Sequence, residues 1–248
     1  MTRLDKLPTR APKGFEKDTI KLKSVKLCAE LAELQNVLYA EGRYKVLVVL
    51  QGMDASGKDG TVKSIFKGVN PAGIRVKSFK SPTPEEKSHN FLWRIYREIP
   101  ASGMIQVFNR SHYEDLLFPG VHKLITPAIM KRRMEQINSF EDALTDDNTV
   151  LFKFYLHISK KEQSKRLRDR ITLPEKKWKY DPSDLKESRL WNNYMDLYQH
   201  IFRKCGKSHP WEIIPADQNW FRDHLILSAM VTRLRKLKMK YPKSKHSQ

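Results

Sequence analysis

Apolar residues recur along the chain with two different spacings, and the switches between them outline alternating helices and strands. Leu22, Val25, Cys28, Leu31, Leu34 and Leu38 fall at helical intervals. Asp18 and Thr19 stand where a cap is wanted, and Gly42 stands where the helix would end. KVLVVLQ (45–51) follows, an almost wholly apolar run that suits a central strand covered on both faces. IRVKSF (74–79), MIQVF (104–108), TVLFKFYLHI (149–158) and WEIIPA (211–216) read as four more strands. Between them the spacing predicts helices over 84–98, 127–144, 160–171, 183–204 and 220–238, the first carrying Phe91, Leu92, Ile95 and Tyr96. Strands alternating with helices predict an α/β fold: a central, mostly parallel five-stranded sheet between two helical layers. Residues 1–248 are expected to form one domain, with an N-terminal arm over 1–16 and a basic tail over 239–248.

Composition narrows the class. The 248 residues are 40% hydrophobic and 30% charged, and no apolar run approaches the length that crosses a bilayer. MTRLDKLPTRAPKGFEKD has basic residues but neither an apolar core nor a small-residue cleavage site, so no signal peptide and a cytoplasmic location are expected. Cys28 and Cys205 lie far apart without metal-ligand spacing, and Cys28 is expected to be buried on its helix. Against 28 acidic residues stand 47 basic ones, a formal net charge of +19. A field of that sign recruits a polyanion: nucleic acid, anionic lipid or a phosphate-rich substrate.

Chemistry enters at GMDASGKDG (52–60), directly after the buried strand and before a helix. Glycine, four residues, Gly57 and Lys58 make a phosphate loop, in which successive backbone N–H groups and the following helix dipole cradle an anion. Gly52, Ala55, Ser56, Gly57, Lys58, Asp59 and Gly60 are the candidate cradle. The usual hydroxyl after the lysine is replaced by Asp59, and a second acid, Asp54, sits within the loop. Two carboxylates beside a phosphate call for a compensating cation. Mg²⁺, with Mn²⁺ as a substitute, takes one or two carboxylates plus phosphate oxygens and waters, and Asp54 is the candidate ligand. Asp59 has the alternative role of a first-turn acid stabilised by the helix dipole.

FNRSHYEDLLFPG (108–120) follows the third strand. Asn109 stands where a strand-end acid is common. Arg110 can grip phosphate with two N–H groups at once, and Glu114 can act on metal-bound water, orient the acceptor or pair with Arg110. His112 has no activating neighbour and is read as packed rather than as a nucleophile. In SKKEQSKRLRDRITLPEKKWKYDPSD (159–184), Arg166 and Arg170 share a helix face and are candidates for a catalytic lid, with Leu167 and Ile171 holding the helix to its support. Lys63, Lys67, Lys77, Lys80 and the run Lys131, Arg132, Arg133 could lengthen an anion track beyond what a mononucleotide needs.

GMDASGKDG, FNRSHYE, KKEQSKRLRDRI with KKWKY, and the late PWEIIPAD with Trp220 together resemble the polyphosphate kinase 2 family over about Lys17 to Leu237. The resemblance implies a thymidylate-kinase-like phosphate-loop kinase fold with a helical lid and a groove for the polymer. It also implies Mg²⁺ and no covalent enzyme intermediate. Asp54 corresponds to the metal-handling loop acid, Lys58 to the loop lysine, Arg110 to the phosphate-gripping arginine, Glu114 to the acid after the tyrosine, and Arg170 to a lid arginine. Asp115, at a place where members vary, becomes a candidate for nucleotide selection.

The expected activity is transfer of the terminal phosphoryl group of inorganic polyphosphate to ADP or GDP, and to AMP, reversibly. Partners would be polyphosphate and purine nucleotides, not nucleic acid or membrane. A homo-oligomer, dimer or tetramer, is expected; either a subunit interface or the core would account for the apolar stripes of 18–41 and 183–204. Two other readings stay open: an ATP-dependent kinase of a nucleoside monophosphate or similar metabolite, and a basic nucleic-acid-binding protein with a nucleotide-sensing loop.

Overall fold

The computed structural model describes residues 3–243, so the ends of the expected arm and tail lie outside the described residues. Five strands, β1 (Lys45–Gln51), β2 (Ile74–Ser78), β3 (Ile105–Asn109), β4 (Thr149–His157) and β5 (Glu212–Pro215), form one sheet in the order β2-β3-β1-β4-β5 with every pairing parallel. The helices are α1 (Lys17–Glu41), α2 (Lys58–Ile65), α3 (Pro84–Ser88), α4 (Trp93–Tyr96), α5 (Glu114–Val121), α6 (Pro127–Asp146), α7 (Lys160–Thr172), α8 (Pro182–Arg189), α9 (Trp191–Lys204) and α10 (Asn219–Arg235). α1, α2 and α10 pack together as one layer, and α5, α6 and α9 supply the other. The architecture is the three-layer α/β fold of phosphate-loop kinases. Val46 to Leu50 are completely buried, which is why β1 tolerates no polar alternation.

The register decides where chemistry can occur. Leu50 of β1 lies level with Asn109 of β3 and Phe154 of β4, so the loops leaving these strands emerge along one edge. That edge flanks the central strand, where the chain turns to opposite sides of the sheet and a crevice opens beyond the carboxyl ends.

Several elements differ from the sequence expectation. The helix expected over 84–98 is broken, because His89 is extended and the Asn90 side chain accepts a 2.9 Å hydrogen bond from the Leu92 amide, a local turn that competes with the helix. The helix expected over 183–204 divides at Leu190, and its first part starts at Pro182 behind a side-chain cap from Asp181. α5 lies in a stretch for which no helix was expected. The carbonyl that Pro119 cannot serve, that of Asp115, accepts instead from Arg133 Nη1 at 2.7 Å.

α1 begins at Lys17 without a side-chain cap, so Asp18 and Thr19 lie inside its first turn. Ile20, Leu31 and Leu38 face the core, whereas Leu22 and Val25 are 69% and 67% exposed and Cys28 is only half-buried. The N-terminal arm lies against the domain through buried Leu4, whose amide donates to Gln199 Oε1 at 2.7 Å, and through Thr9, whose hydroxyl donates to Asp217 Oδ2 at 2.9 Å. No described helix is long and apolar enough to cross a membrane.

Candidate active site

A cleft of about 1230 Å³ opens at the carboxyl edge of the sheet. The loop 52–57 forms its floor, with the ends of β2 and β3, the first turns of α5, and α7, α8 and α9 as walls. Acidic and basic side chains line it in equal number, so it is not a simply basic groove. Several of its charges are paired, and those pairs describe the site.

The loop needs its glycines for two separate reasons. A Cβ on Gly57, where φ is +101°, would strike the Arg222 guanidinium; one on Gly52 would stand 2.8 Å from the Leu156 carbonyl oxygen. Lys58 opens α2 and is buried, its ammonium donating to the carbonyls of Gly52 at 2.8 Å and Met53 at 3.2 Å. Burial, reinforced by the nearby Arg110 charge, pushes it down to about 8 in spite of Asp54, Glu114 and Asp59. Asp54 accepts from Arg110 Nη2 at 2.5 Å, and Glu114 lies 3.9 Å from the other terminal nitrogen of that guanidinium. Arg110 thus bridges the loop acid and the helix acid. Burial opposes its charge, but Glu114 and Asp54 outweigh that cost and its pKa is raised.

Arg110 reaches this place through its backbone. It adopts a left-handed conformation, φ +63°, just past the end of β3, and its amide donates to the Leu50 carbonyl at 3.1 Å. Burial raises the Glu114 carboxyl, with Arg110 and Lys58 opposing. Gln51, at the end of β1 and with its amide oriented to complement both neighbours, donates to Glu114 Oε1 at 3.0 Å and accepts from the Ser111 amide at 3.1 Å.

Asp59 does more than sit in a first helical turn. Asn109 Nδ2 donates to its Oδ1 at 2.7 Å and Lys179 Nζ to its Oδ2 at 2.8 Å. Burial raises this carboxyl, but the bonds from Lys179 and Asn109 prevail and hold it below the usual range. The acid that phosphate loops often carry at the strand end is here on the helix, and the strand supplies the amide that binds it.

α7 is capped by the Ser159 hydroxyl, which accepts from the Glu162 amide at 3.1 Å. The face shared by Arg166 and Arg170 points into the cleft. Leu167 is buried behind it, whereas Ile171 is exposed and anchors nothing. Arg170 Nη1 donates to Asp184 Oδ2 of α8 at 2.5 Å. Asp184 is raised by burial and by the Asp54 charge, with Arg170 opposing. Arg166, expected as a phosphate ligand, lines the cleft with its donors turned to protein acceptors. Its Nε donates to Glu162, Nη1 to the Ala55 and Ser56 carbonyls, and Nη2 to the Ala216 and Asp217 carbonyls. Four of its five N–H groups brace the loop against the segment just after β5, and the fifth is held by Glu162.

Other expected residues lie elsewhere. Lys63 and Lys67 are exposed and outside the cleft, since the helical turn that buries Lys58 carries Lys63 to the outer face and α2 ends before Lys67. Asp115 does not line the cleft; its carboxylate accepts from buried Arg94 at 2.9 Å. Lys77 pairs with Glu98, while Lys80 does line the cleft. Lys179, Asp184, Phe118, Tyr194 and Arg222 line it too and were not singled out as site residues from sequence. KKWKY pointed to the neighbourhood of Lys179, but nothing in the sequence marks Arg222, on the last helix, as a neighbour of Gly57.

The donors suit a hard divalent ion carried on phosphate. Asp54 offers carboxylate oxygen at the loop, and the described residues hold no cluster of three or more acid, histidine or cysteine ligands that would make an all-protein cage.

A sequence model of the family described as Polyphosphate kinase 2 (PPK2) matches residues 14–245. An AMP/ADP-polyphosphate phosphotransferase of Meiothermus ruber is 44% identical over 243 residues, covering 98% of this chain and 91% of that protein. An ADP-polyphosphate phosphotransferase of Rhodopseudomonas palustris is 38% identical over 227 residues, 86% of this chain and 78% of that protein. Among solved structures, polyphosphate kinase 2 from Arthrobacter aurescens superposes with a TM-score of 0.95 at 38% identity, over 100% of this chain and 90% of that one.

Proposed function

The chain belongs to the polyphosphate kinase 2 family, and on that premise we propose that it transfers the terminal phosphoryl group of inorganic polyphosphate to ADP or GDP, and to AMP, reversibly and in a single direct step. The observation that carries the reading is the cleft itself, where Lys58, Asp54, Arg110 and Glu114 meet at the strand ends and face Arg170, Lys176 and Lys179 across one continuous space. A phosphate chain and a nucleotide can meet end to end there. The Meiothermus relative, an AMP/ADP-polyphosphate phosphotransferase, and the Rhodopseudomonas relative, an ADP-polyphosphate phosphotransferase, support polyphosphate with AMP and ADP as substrates.

In the proposed reaction a terminal oxygen of the nucleotide attacks the end phosphorus of the polymer. The bridging P–O bond breaks, and the polymer leaves one phosphate shorter with the bond's electron pair. Little covalent work falls to the protein in such a transfer, so positioning and charge stabilisation dominate. Lys58 and the loop amides hold the donor end, Arg110 turns from Asp54 to the reacting phosphates, and Glu114 orients the acceptor. Arg170 comes with the 159–184 segment, which acts as a lid and excludes water. Asp54 would hold Mg²⁺, or Mn²⁺ in its place; the ion supplies the positive charge that lets two polyanions approach. His112 is completely buried against Glu141, which supports direct transfer over a phosphohistidine. The same reading takes the protein as a cytoplasmic homo-oligomer, dimer or tetramer, for which the exposed Leu22 and Val25 on α1 are the supporting feature.

The test is incubation of AMP, ADP, GMP and GDP, each with polyphosphate and Mg²⁺ but no ATP, followed by separation of products. Phosphorylated nucleotide is expected; absence of product with every acceptor refutes the reading. Asp54→Asn should keep the melting temperature, abolish turnover and weaken Mn²⁺ binding followed by electron paramagnetic resonance. Full activity in that variant would remove the metal assignment.

A further inference from the structure

Behind the cleft wall lies a second polar cluster that no substrate could touch. Glu141 of α6 and Lys153 of β4 form an ion pair at 2.6 Å, each side chain 1% exposed. Lys153 Nζ also donates to the Tyr113 hydroxyl at 3.0 Å and to the Cys205 carbonyl at 2.5 Å, so its three hydrogens are all used. Glu141 Oε1 accepts from the Tyr113 hydroxyl at 2.8 Å and faces His112 Nε2 at 3.2 Å. Burial works against the Glu141 charge, but His112 and Lys153 outweigh it and hold the carboxyl below its ordinary range. An ionised carboxylate has no hydrogen to give, so the Nε2 of His112 donates to it, and its Nδ1 has no hydrogen-bond partner.

A buried ion pair is a poor device for stability, because desolvation consumes most of what the attraction returns and well-packed apolar side chains serve as well or better. Its geometry points to another use. His112 and Tyr113 stand between Arg110 and Glu114 in the chain, and only those two outer residues reach the cleft. Arg110 is held in a left-handed conformation, which a side-chain-bearing residue keeps only where its surroundings over-determine it. On the cleft side the segment is tied by the Arg110 amide to Leu50 and by Ser111 to Gln51. On the far side, Glu141 and Lys153 supply the side-chain ties of His112 and Tyr113.

We propose that Glu141 and Lys153 are positioning residues for phosphoryl transfer, acting through Tyr113 and His112 to fix the backbone of residues 109–114 so that Arg110 and Glu114 enter the cleft in one orientation. The inference builds on the function proposed above, and its test has an arm that needs no substrate.

Three variants separate positioning from plain stability. Tyr113→Phe removes one hydroxyl and leaves the ion pair intact, so the fold survives. Glu141→Leu with Lys153→Met removes both charges and every acceptor, while Glu141→Gln with Lys153→Met removes the charges but keeps an oxygen for His112 and Tyr113. Tyr113→Phe and the Leu/Met variant should lower kcat per folded molecule by about 10- to 100-fold, the scale of a small misplacement at a reacting centre, with KM for polyphosphate within about twofold. The Gln/Met variant should recover most of that loss. In ligand-free protein, hydrogen exchange at amides 109–116 should quicken in Tyr113→Phe while β1 and β4 keep their protection. Should the Leu/Met variant fail to fold, Tyr113→Phe decides alone. Wild-type exchange over 109–116 in Tyr113→Phe overturns the proposal, as does a kcat per folded molecule that equals wild type. A wild-type protein inactive on polyphosphate would sink the functional reading instead, and the exchange measurement would still decide this one.

Discussion

Arg166→Lys keeps a positive charge at the cleft and removes the planar fork, so it separates a phosphate-binding arginine from one that braces the loop. Four of the five N–H groups of Arg166 meet backbone carbonyls at 2.9 to 3.1 Å, two on the phosphate loop and two beyond β5. A lysine nitrogen cannot span both pairs. At a net of about 1 kcal/mol for each hydrogen bond, the four sum to about 4 kcal/mol. Water reaching the two loop carbonyls recovers part of this, and the expected loss is about 2 to 3 kcal/mol. For a chain of this length that lowers the melting temperature by about 5 to 10 °C. A loop set loose by an ångström should also cost about 100-fold in kcat. Calorimetry and initial rates with polyphosphate and ADP read both quantities. If Arg166→Lys keeps the wild-type melting temperature and kcat and raises only KM for polyphosphate, the brace is refuted and the arginine belongs to the phosphate grip.

Two further predictions concern protonation and specificity. Because Lys58 titrates at about 8 and a bound anion favours its charged form, binding of tripolyphosphate should take up a proton above about pH 8 and none from Lys58 near pH 6. Calorimetric titration in buffers of different ionisation enthalpy measures this, and Lys58→Arg should lack the uptake; equal uptake in that variant would reassign it. Asp115→Asn should cost about 1 to 3 kcal/mol in urea unfolding, since it weakens a pair whose side chains are only 12% and 5% exposed, and should leave the AMP-to-ADP preference unchanged. A changed preference at unchanged stability would restore Asp115 as a selector.

Much of the molecule was legible in the chain because the signals are local. The five strands could be counted from short apolar runs, and GMDASGKDG between a buried strand and a helix could be read as a phosphate loop. Each rests on neighbours in sequence and on backbone geometry. Errors arose where a local pattern met a distant partner. The chain alone predicted no helix at α5, which carries Pro119 because Arg133, from the next helix, serves the carbonyl that the proline leaves free. Leu22 and Val25 obey the helical period but face away from the α1–core contact.

The sequence by itself determined the order of elements, the parallel sheet and the glycine turn, along with the identity of the acids and cations near it. Which charge answers which was decided only by the tertiary structure. Asp54 with Arg110, Asp59 with Lys179, and Asp184 with Arg170 are separated by 14 to 120 positions in the chain. The hydrogen bonds of Arg166 to the loop carbonyls and to those of Ala216 and Asp217 likewise follow from β5 ending beside the loop. Helix and strand periods reflect interactions a few residues long, whereas ion pairing depends on distances across space that the packing of the sheet and its two helical layers sets.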